Sequence, residues 1–365
     1  MLFLLGNLLL LIANCIILLV MYMKKRINYI DLLRGFAIFL IVLYHMIGYS
    51  KNLDDTLIYL SSFHVSLFFL ISGFTYNSKD ISFKEYFKHK FKRIMIPFFI
   101  FSILFLIPYY LFESMTGMSN ETLEITHFIK GIIYGSGVHD LLKQNTPLWF
   151  LPCLFITEIL AYFIFKLKNK FGNKFYFIIF LFIILGYIDY MFNPFTLPYG
   201  INTMFSMMAF FLFGNYLKDS NVLNLNNKKK IILSITLIIF GITTSSFNDK
   251  ISYMTTSFGN YFIFLLSSFF SCLGYLLLFS LFDIKDKYLL LIGKSTLGIL
   301  IFHKLFVVLC QRFIPVLNNS NIFLELILGV SLSIVTIINC VIIDSIINKY
   351  FPYLYGKSKK LLEVS

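Results

Sequence analysis

Charge is scarce in this sequence. Asp, Glu, Lys and Arg make up 13% of its 365 residues, where a soluble globular chain carries about 25%. Tryptophan occurs once and proline eight times. No hydrophilic stretch is long enough to fold as a separate soluble catalytic domain, so any chemistry must sit in or at the edge of a membrane. The five cysteines (Cys15, Cys153, Cys272, Cys310 and Cys340) all lie in hydrophobic runs, with no short pairing and no Cys/His pattern. They read as small apolar packing residues, and no metal site is expected.

What is present is hydrophobic. The apolar share is 58% and the mean hydropathy +0.82, with 45 Phe and 23 Tyr. The expected fold class is all-α, a polytopic integral membrane helical bundle of about 11 transmembrane helices, each needing ~20 residues. The spans read as 2–22, 29–49, 57–77, 94–112, 147–166, 175–192, 200–217, 230–247, 258–282, 288–312 and 322–347. Segment 1–28 reads as an uncleaved signal-anchor helix: it has no basic leader or small-residue cleavage site, and Lys24, Lys25 and Arg26 follow the apolar run. Residues 29–350 form the membrane domain and 351–365 a basic cytoplasmic tail.

The net charge of +13 is explained by topology rather than by nucleic acid, which is not an expected partner. With the N-terminus outside, the inside segments hold 23 Lys and Arg and the outside segments five. This is the positive-inside pattern, and it puts the C-terminus in the cytoplasm. A secondary role in holding anionic membrane lipid fits the same residues. Segment 83–97 (FKEYFKHKFKRIMIP) interleaves aromatics with cations and reads as an amphipathic helix at the cytoplasmic interface. It serves either as an anchor or as a basic surface for a phosphate-bearing ligand. The longest outer loop, 113–146, carries His127 and His139, which read as surface residues without metal-ligand spacing.

Ionisable groups at membrane depth are costly, so each is a functional candidate. Arg34 and His45 are eleven residues apart in the second span. At about 100° per residue they are about 20° from eclipsing, on one face, ~16 Å apart along the axis. Asp31, one turn before Arg34, can pair with it. His45, His64 and His303 all fall in the outer half of the bilayer, at depths of about 6 to 14 Å by helical rise. Glu158, Asp189, Lys294, Lys304, Glu325 and Asp344 are further intramembrane charges, and for Lys304, Glu325 and Asp344 interhelical pairing or snorkelling is the plainer account. Packing or ion pairing is the plain alternative for the others.

These residues carry a resemblance. YIDLLRGFAIFLIVLYH (29–45) resembles the opening signature of the membrane acyltransferase-3 family, which includes sugar O-acetyltransferases such as relatives of fucose 4-O-acetylase. The family's hallmark is an Arg, ten intervening residues and a His, matched here by Arg34 and His45. FHVSLFFLISGF (63–74), FKRIMIPF (91–98), LWFLPCLF (148–155) and LGILIFHKLF (297–306) resemble later blocks in the same order. The likeness covers about 29 to 347.

The resemblance implies ten core helices, to which the first span is an addition. It implies acetyl-CoA as cosubstrate with no bound cofactor, and an acceptor hydroxyl on a cell-surface glycan or its lipid-linked precursor. Some family members carry an appended extracytoplasmic esterase-like domain; here the membrane domain is expected to perform the whole transfer. Arg34 and His45 inherit catalytic roles, with Asp31, His64 and His303 beside them. Arg34, Arg93 and Lys294 are the candidates for holding the donor; Ser72, Trp149 and Glu158 are those for the acceptor. His45 would serve as general base on a sugar hydroxyl, or as a nucleophile through an acyl-histidine. Family and Ile-, Phe-, Lys- and Asn-rich composition together point to a bacterial inner membrane. A competing reading is an exporter or flippase of a polysaccharide or lipid-linked sugar, because intramembrane charges serve transporters equally well.

Overall fold

The computed structural model describes residues 29–48, 50, 52–77, 81–116, 124–192, 195–282, 284, 286–313 and 321–357. The signal-anchor segment 1–28, and with it Cys15, lies outside the described residues. Long apolar runs with few backbone-competing residues fold as helices, because a chain in lipid must satisfy its backbone groups internally. In order these are α1 (Tyr29–Met46), α2 (Asp54–Thr75), α3 (Phe83–Lys90), α4 (Ile96–Leu104), α5 (Leu106–Thr116), α6 (Ile125–Tyr134) and α7 (Phe150–Lys166). Then follow α8 (Ile178–Phe192), α9 (Ile201–Asp219), α10 (Asn227–Ser245), α11 (Tyr261–Phe279), α12 (Lys287–Lys294), α13 (Thr296–Phe313) and α14 (Ile322–Tyr350). Among the described residues the only extended pairing is an isolated bridge between Ser252 and Ser257.

The bundle is organised around α2, whose apolar window is 83% buried, against 17% for the peripheral α8. Helices α1, α9, α10 and α11 all pack on α2. Its crossing with α9 depends on two glycines. A Cβ on Gly73 would lie 1.7 Å from the Phe211 carbonyl oxygen, and one on Gly214 would lie 2.0 Å from that of Leu70. Small residues let membrane helices approach to backbone contact, where dispersion replaces the missing hydrophobic drive between helices.

Serines on α2 and α11 supply polar glue. Ser267 Oγ lies 3.0 Å from Ser62 Oγ and 2.9 Å from the Gly241 carbonyl, within reach of both for its one hydrogen, and Ser268 Oγ bonds the Ser62 carbonyl. The same stripe fixes the connection between α10 and α11. Tyr253 Oη donates to the Ser62 carbonyl at 2.8 Å and pairs with Ser66 Oγ at 3.0 Å. Thr203 Oγ1 donates to the Tyr253 carbonyl (2.6 Å), and Ile251 N–H donates to Ser61 Oγ (3.1 Å). A polar connection is thus drawn down onto the bundle core.

Seven described helices are long and apolar enough to cross a membrane, eight if one bent pair counts as a single span. Helices α9 and α10, expected to span, are not among them: α9 carries Asn202, Thr203, Ser206, Gly214 and Asn215, and α10 opens on Lys228, Lys229 and Lys230. The expected span 288–312 is broken into α12 and α13, bent by 80°. The cause lies in packing, since a Cβ on Gly293 would sit 1.8 Å from the Asp31 carbonyl oxygen. Helix α12 is therefore pressed onto the first turn of α1, and Ser295, non-helical at φ −92° and ψ 13°, makes the corner. The basic segment 83–97 does not lie apart from the span that follows. Ser82 and Glu85 cap α3 reciprocally, and the helix continues through a wider π-helical turn at Phe91–Met95 into α4.

Candidate active site

The last turn of α1 and the middle of α2 bring Tyr44, His45 and His64 to one wall of a cavity of about 190 Å³. Thr146, Pro147, Trp149 and Phe150 form a second wall, residues 251–254 a third, and Leu300 of α13 closes it. The Tyr44 and His64 rings stack at 5.0 Å, and Tyr253 meets His64 edge-on at 5.9 Å. His303, fully buried on α13, stands with its ring centroid 5.3 Å from that of His45. Of the three histidines that share a depth in the sequence, His45 and His303 are in ring contact, and His64 lines the same cavity as His45. Among the described residues no group of three or more His, Cys, Asp or Glu is arranged to hold a metal ion.

The three imidazoles differ in their constraints. His303 Nδ1 lies 2.9 Å from the carbonyls of both Ile299 and Leu300, and His64 Nδ1 lies 2.5 Å from that of Leu60. Carbonyls only accept, so in each ring Nδ1 carries hydrogen and a neutral ring keeps its lone pair on Nε2. His303 Nε2 is buried with no hydrogen-bond partner among the described residues. Helix geometry alone has fixed two basic nitrogens. His45 is held differently, through its backbone: Gln311 Nε2 donates to the His45 carbonyl at 2.7 Å. Its ring is left to face its neighbours and the cavity.

The segment between α6 and α7 is gripped by the turn of α13 that carries His303. Asn145 Nδ2 donates to the Ile301 carbonyl (2.8 Å), and Lys304 Nζ donates to the Lys143 carbonyl (2.8 Å) and to Thr146 Oγ1 (2.6 Å). On the facing connection, burial pushes the Tyr253 phenol well above its ordinary pKa, so its hydroxyl stays protonated and keeps donating. Tyr44, Tyr253 and Thr146 line the site without any mark in the sequence, and Lys304, which reads there as a pairing or snorkelling charge, braces it.

At the other end of α1, Arg34 Nη1 pairs with Asp31 Oδ1 at 3.2 Å, and Nη2 donates to Thr75 Oγ1 at 3.2 Å. The Arg34 side chain keeps 33% of its surface exposed. Ser72 lies one turn before Thr75 on α2, and its carbonyl accepts from Thr75 Oγ1 at 3.3 Å. Lys294 is exposed, next to the Gly293 contact with Asp31. These four candidates gather at the Arg34 end, away from the cavity. Arg93 is exposed on the π-helical turn, where the Lys92 carbonyl packs on Gly356. Burial pushes the neighbouring Lys357 ammonium below its ordinary value against the pull of Asp344, and Arg93 adds to the push. Glu158 is buried and paired with Lys90, while its carbonyl accepts from Tyr86 Oη at 3.2 Å. Neither Arg93 nor Glu158 lines the cavity.

The arrangement combines basic imidazole nitrogens at one end of α1 with a guanidinium at the other. It suits proton transfer at one end and the holding of an anion at the other. Compared with known families, residues 27–344 match a family model described as an acyltransferase domain. No curated protein and no solved structure matches the chain.

Proposed function

The chain belongs to the membrane acyltransferase-3 family and is a membrane acyltransferase; from that premise we propose that it moves an acetyl group from cytoplasmic acetyl-CoA to a hydroxyl of a cell-surface glycan or its lipid-linked precursor. The observation that carries this reading is the His45–His303 pair at a small cavity, with Arg34 on the same helix face toward the other end. A cavity of about 190 Å³ is below the ~300–1,000 Å³ typical for a whole drug-sized ligand. It accommodates the reacting ends of two substrates, with the bulk of each outside.

In this mechanism an imidazole of the His45–His303 pair takes the proton of the sugar hydroxyl as its oxygen attacks the thioester carbonyl carbon. The C–O bond forms, the C–S bond breaks, and the departing thiolate receives the proton back from the imidazolium. Arg34 holds a phosphate or the pantetheine amide of the donor, for which its planar fork is suited, while Asp31 and Thr75 set its rotamer. Lys294 and Arg93 add positive charge on the side the donor enters. The ~16 Å between Arg34 and His45 along α1 is an interval that an extended pantetheine arm bridges. The positive-inside pattern supports an orientation of the pair with Arg34 toward the cytoplasm and His45 toward the outside, in what we read as a bacterial inner membrane.

The test is purified protein in detergent with labelled acetyl-CoA and a panel of lipid-linked glycans. Label in a glycan is expected. Movement of unmodified glycan across a proteoliposome, with no label acquired, would replace this reading with export.

A further inference from the structure

We propose that Thr146, polarised by Lys304, is the oxyanion donor of the transfer, a catalytic role for a residue outside the histidine and arginine signature. The inference rests on the acyl-transfer reading above and adds the group that stabilises its charged intermediate. Attack on a thioester carbonyl places negative charge on the carbonyl oxygen, and some donor must meet it. The imidazole pair serves the proton, and Arg34 is at the far end of α1, so neither supplies that donor.

Thr146 has the required geometry. It lines the cavity that His45 and His64 also line, and its Oγ1 lies 2.6 Å from Lys304 Nζ. An ammonium only donates, so the threonine oxygen accepts, and its own hydrogen is free to turn away from the lysine. A hydroxyl whose oxygen accepts a charge-assisted bond is a stronger donor in turn. The lysine itself is committed, since it also donates to the Lys143 carbonyl at 2.8 Å.

The surrounding backbone is built to hold this residue still. Gln144 Nε2 donates to the Ser102 carbonyl (3.3 Å) and Asn145 Nδ2 to the Ile301 carbonyl (2.8 Å), so the two residues before Thr146 are tied to two different helices. Both Gln144 and Asn145 are buried. Upstream, His139 and Asp140 hold φ values of 55° and 58°, a left-handed pair without glycine. Such backbone is unfavourable for residues with a Cβ and persists only where its surroundings enforce it. Ile301, His303 and Lys304 share one turn of α13, so the element that places the imidazole also places the donor. Preorganisation of this kind makes an oxyanion donor effective, since no reorientation is needed when charge develops.

In the step itself the acceptor oxygen bonds the acyl carbon, and its proton passes to the imidazole. The carbonyl oxygen carries the negative charge while Thr146 Oγ1–H donates to it. Collapse expels the thiolate, which takes the proton from the imidazolium, and Thr146 ends unchanged.

The test measures thiol release from acetyl-CoA and label transfer to a lipid-linked glycan extract, using full-length protein in detergent. Thr146→Val keeps the shape and removes the hydroxyl. It is expected to lower kcat on the order of 100-fold, with KM for acetyl-CoA changed less than threefold. Thr146→Ser restores most of kcat, and Lys304→Met, which leaves the hydroxyl unpolarised, falls between. Thr146→Ala replaces Thr146→Val if the latter loses monodisperse elution. A Thr146→Val or Thr146→Ala enzyme with kcat near the unaltered chain overturns the proposal, as does a loss that Ser does not rescue. If the unaltered chain moves no acyl group, the acyl-transfer reading fails first and this role with it.

Discussion

The imidazoles of His45 and His303 lie 5.3 Å apart, centroid to centroid, one on the last turn of α1 and the other on α13. His303 cannot rotate freely, because its Nδ1 is tied to two backbone carbonyls of its own helix. The pair therefore joins one constrained ring to one that faces the cavity. His45→Ala should lower acyl transfer by about 10²–10⁴-fold, the range for removing a general base. His303→Ala should cost less if His45 is the proton acceptor and as much if His303 is. Steady-state assays of both single variants and the double separate the cases, since groups acting as one unit are not additive.

Arg34 should act on donor binding. Arg34→Ala is expected to raise KM for acetyl-CoA by about 10- to 100-fold, the equivalent of one charge-assisted contact of ~1.5–3 kcal/mol, with a smaller effect on kcat. Arg34→Lys should recover little, because a lysine cannot reproduce a fork that meets Asp31 and Thr75 as well as the ligand. A KM series over donors truncated at the nucleotide checks this: the penalty should disappear once the phosphates are gone, if they are the partner.

The α2–α9 crossing should be sensitive to a single methyl group. Gly73→Ala places a Cβ against the Phe211 carbonyl oxygen, and overpacking of this kind typically destabilises by ~1–3 kcal/mol. Thermal unfolding in detergent should show a lower midpoint for Gly73→Ala and for Gly214→Ala. The double variant should fall short of the sum, because both act at one crossing.

Glu158 should be a stability residue. Its carboxylate is buried against Lys90, so Lys90→Met strands a buried charge, a change that destabilises by ~3–5 kcal/mol in comparable pairs. Adding Glu158→Gln should recover most of that loss. Thermal unfolding of the two singles and the double checks it, and transfer per folded molecule should change little across the set.

Arg34, Asp31, His45, His64 and His303 were legible as intramembrane charges because each is expensive at that depth, and helical periodicity put Arg34 and His45 on one face. That three of the histidines converge was signalled only by shared depth. Tyr253 was not legible: it sits in a polar connection with no motif, and its place is fixed by Ser62 and Ser66, on a helix far away in sequence. A run of serines on α2 (Ser61, Ser62, Ser66) matched by another on α11 (Ser267, Ser268, Ser271) was the available clue to that contact. Thr146 was hidden because a threonine before a proline reads as a turn residue until Lys304 is seen to reach it. The bend at Ser295 was missed because no proline marks it; the signal is Gly293, whose need for backbone contact with Asp31 appears only in tertiary structure. The pairing of Glu158 with Lys90 is not legible, because Lys90 belongs to a segment that reads as lying on the membrane surface.

In the proposed mechanism the cavity at His45 carries out acyl transfer between a donor held from the Arg34 end and an acceptor hydroxyl. The most direct measurement is transfer of label from acetyl-CoA to lipid-linked glycans by the purified chain, run beside His45→Ala matched for monodispersity and thermal midpoint. Labelled glycan is expected with the unaltered chain, and a rate lower by about 100-fold or more with His45→Ala. Equal transfer by both would contradict it.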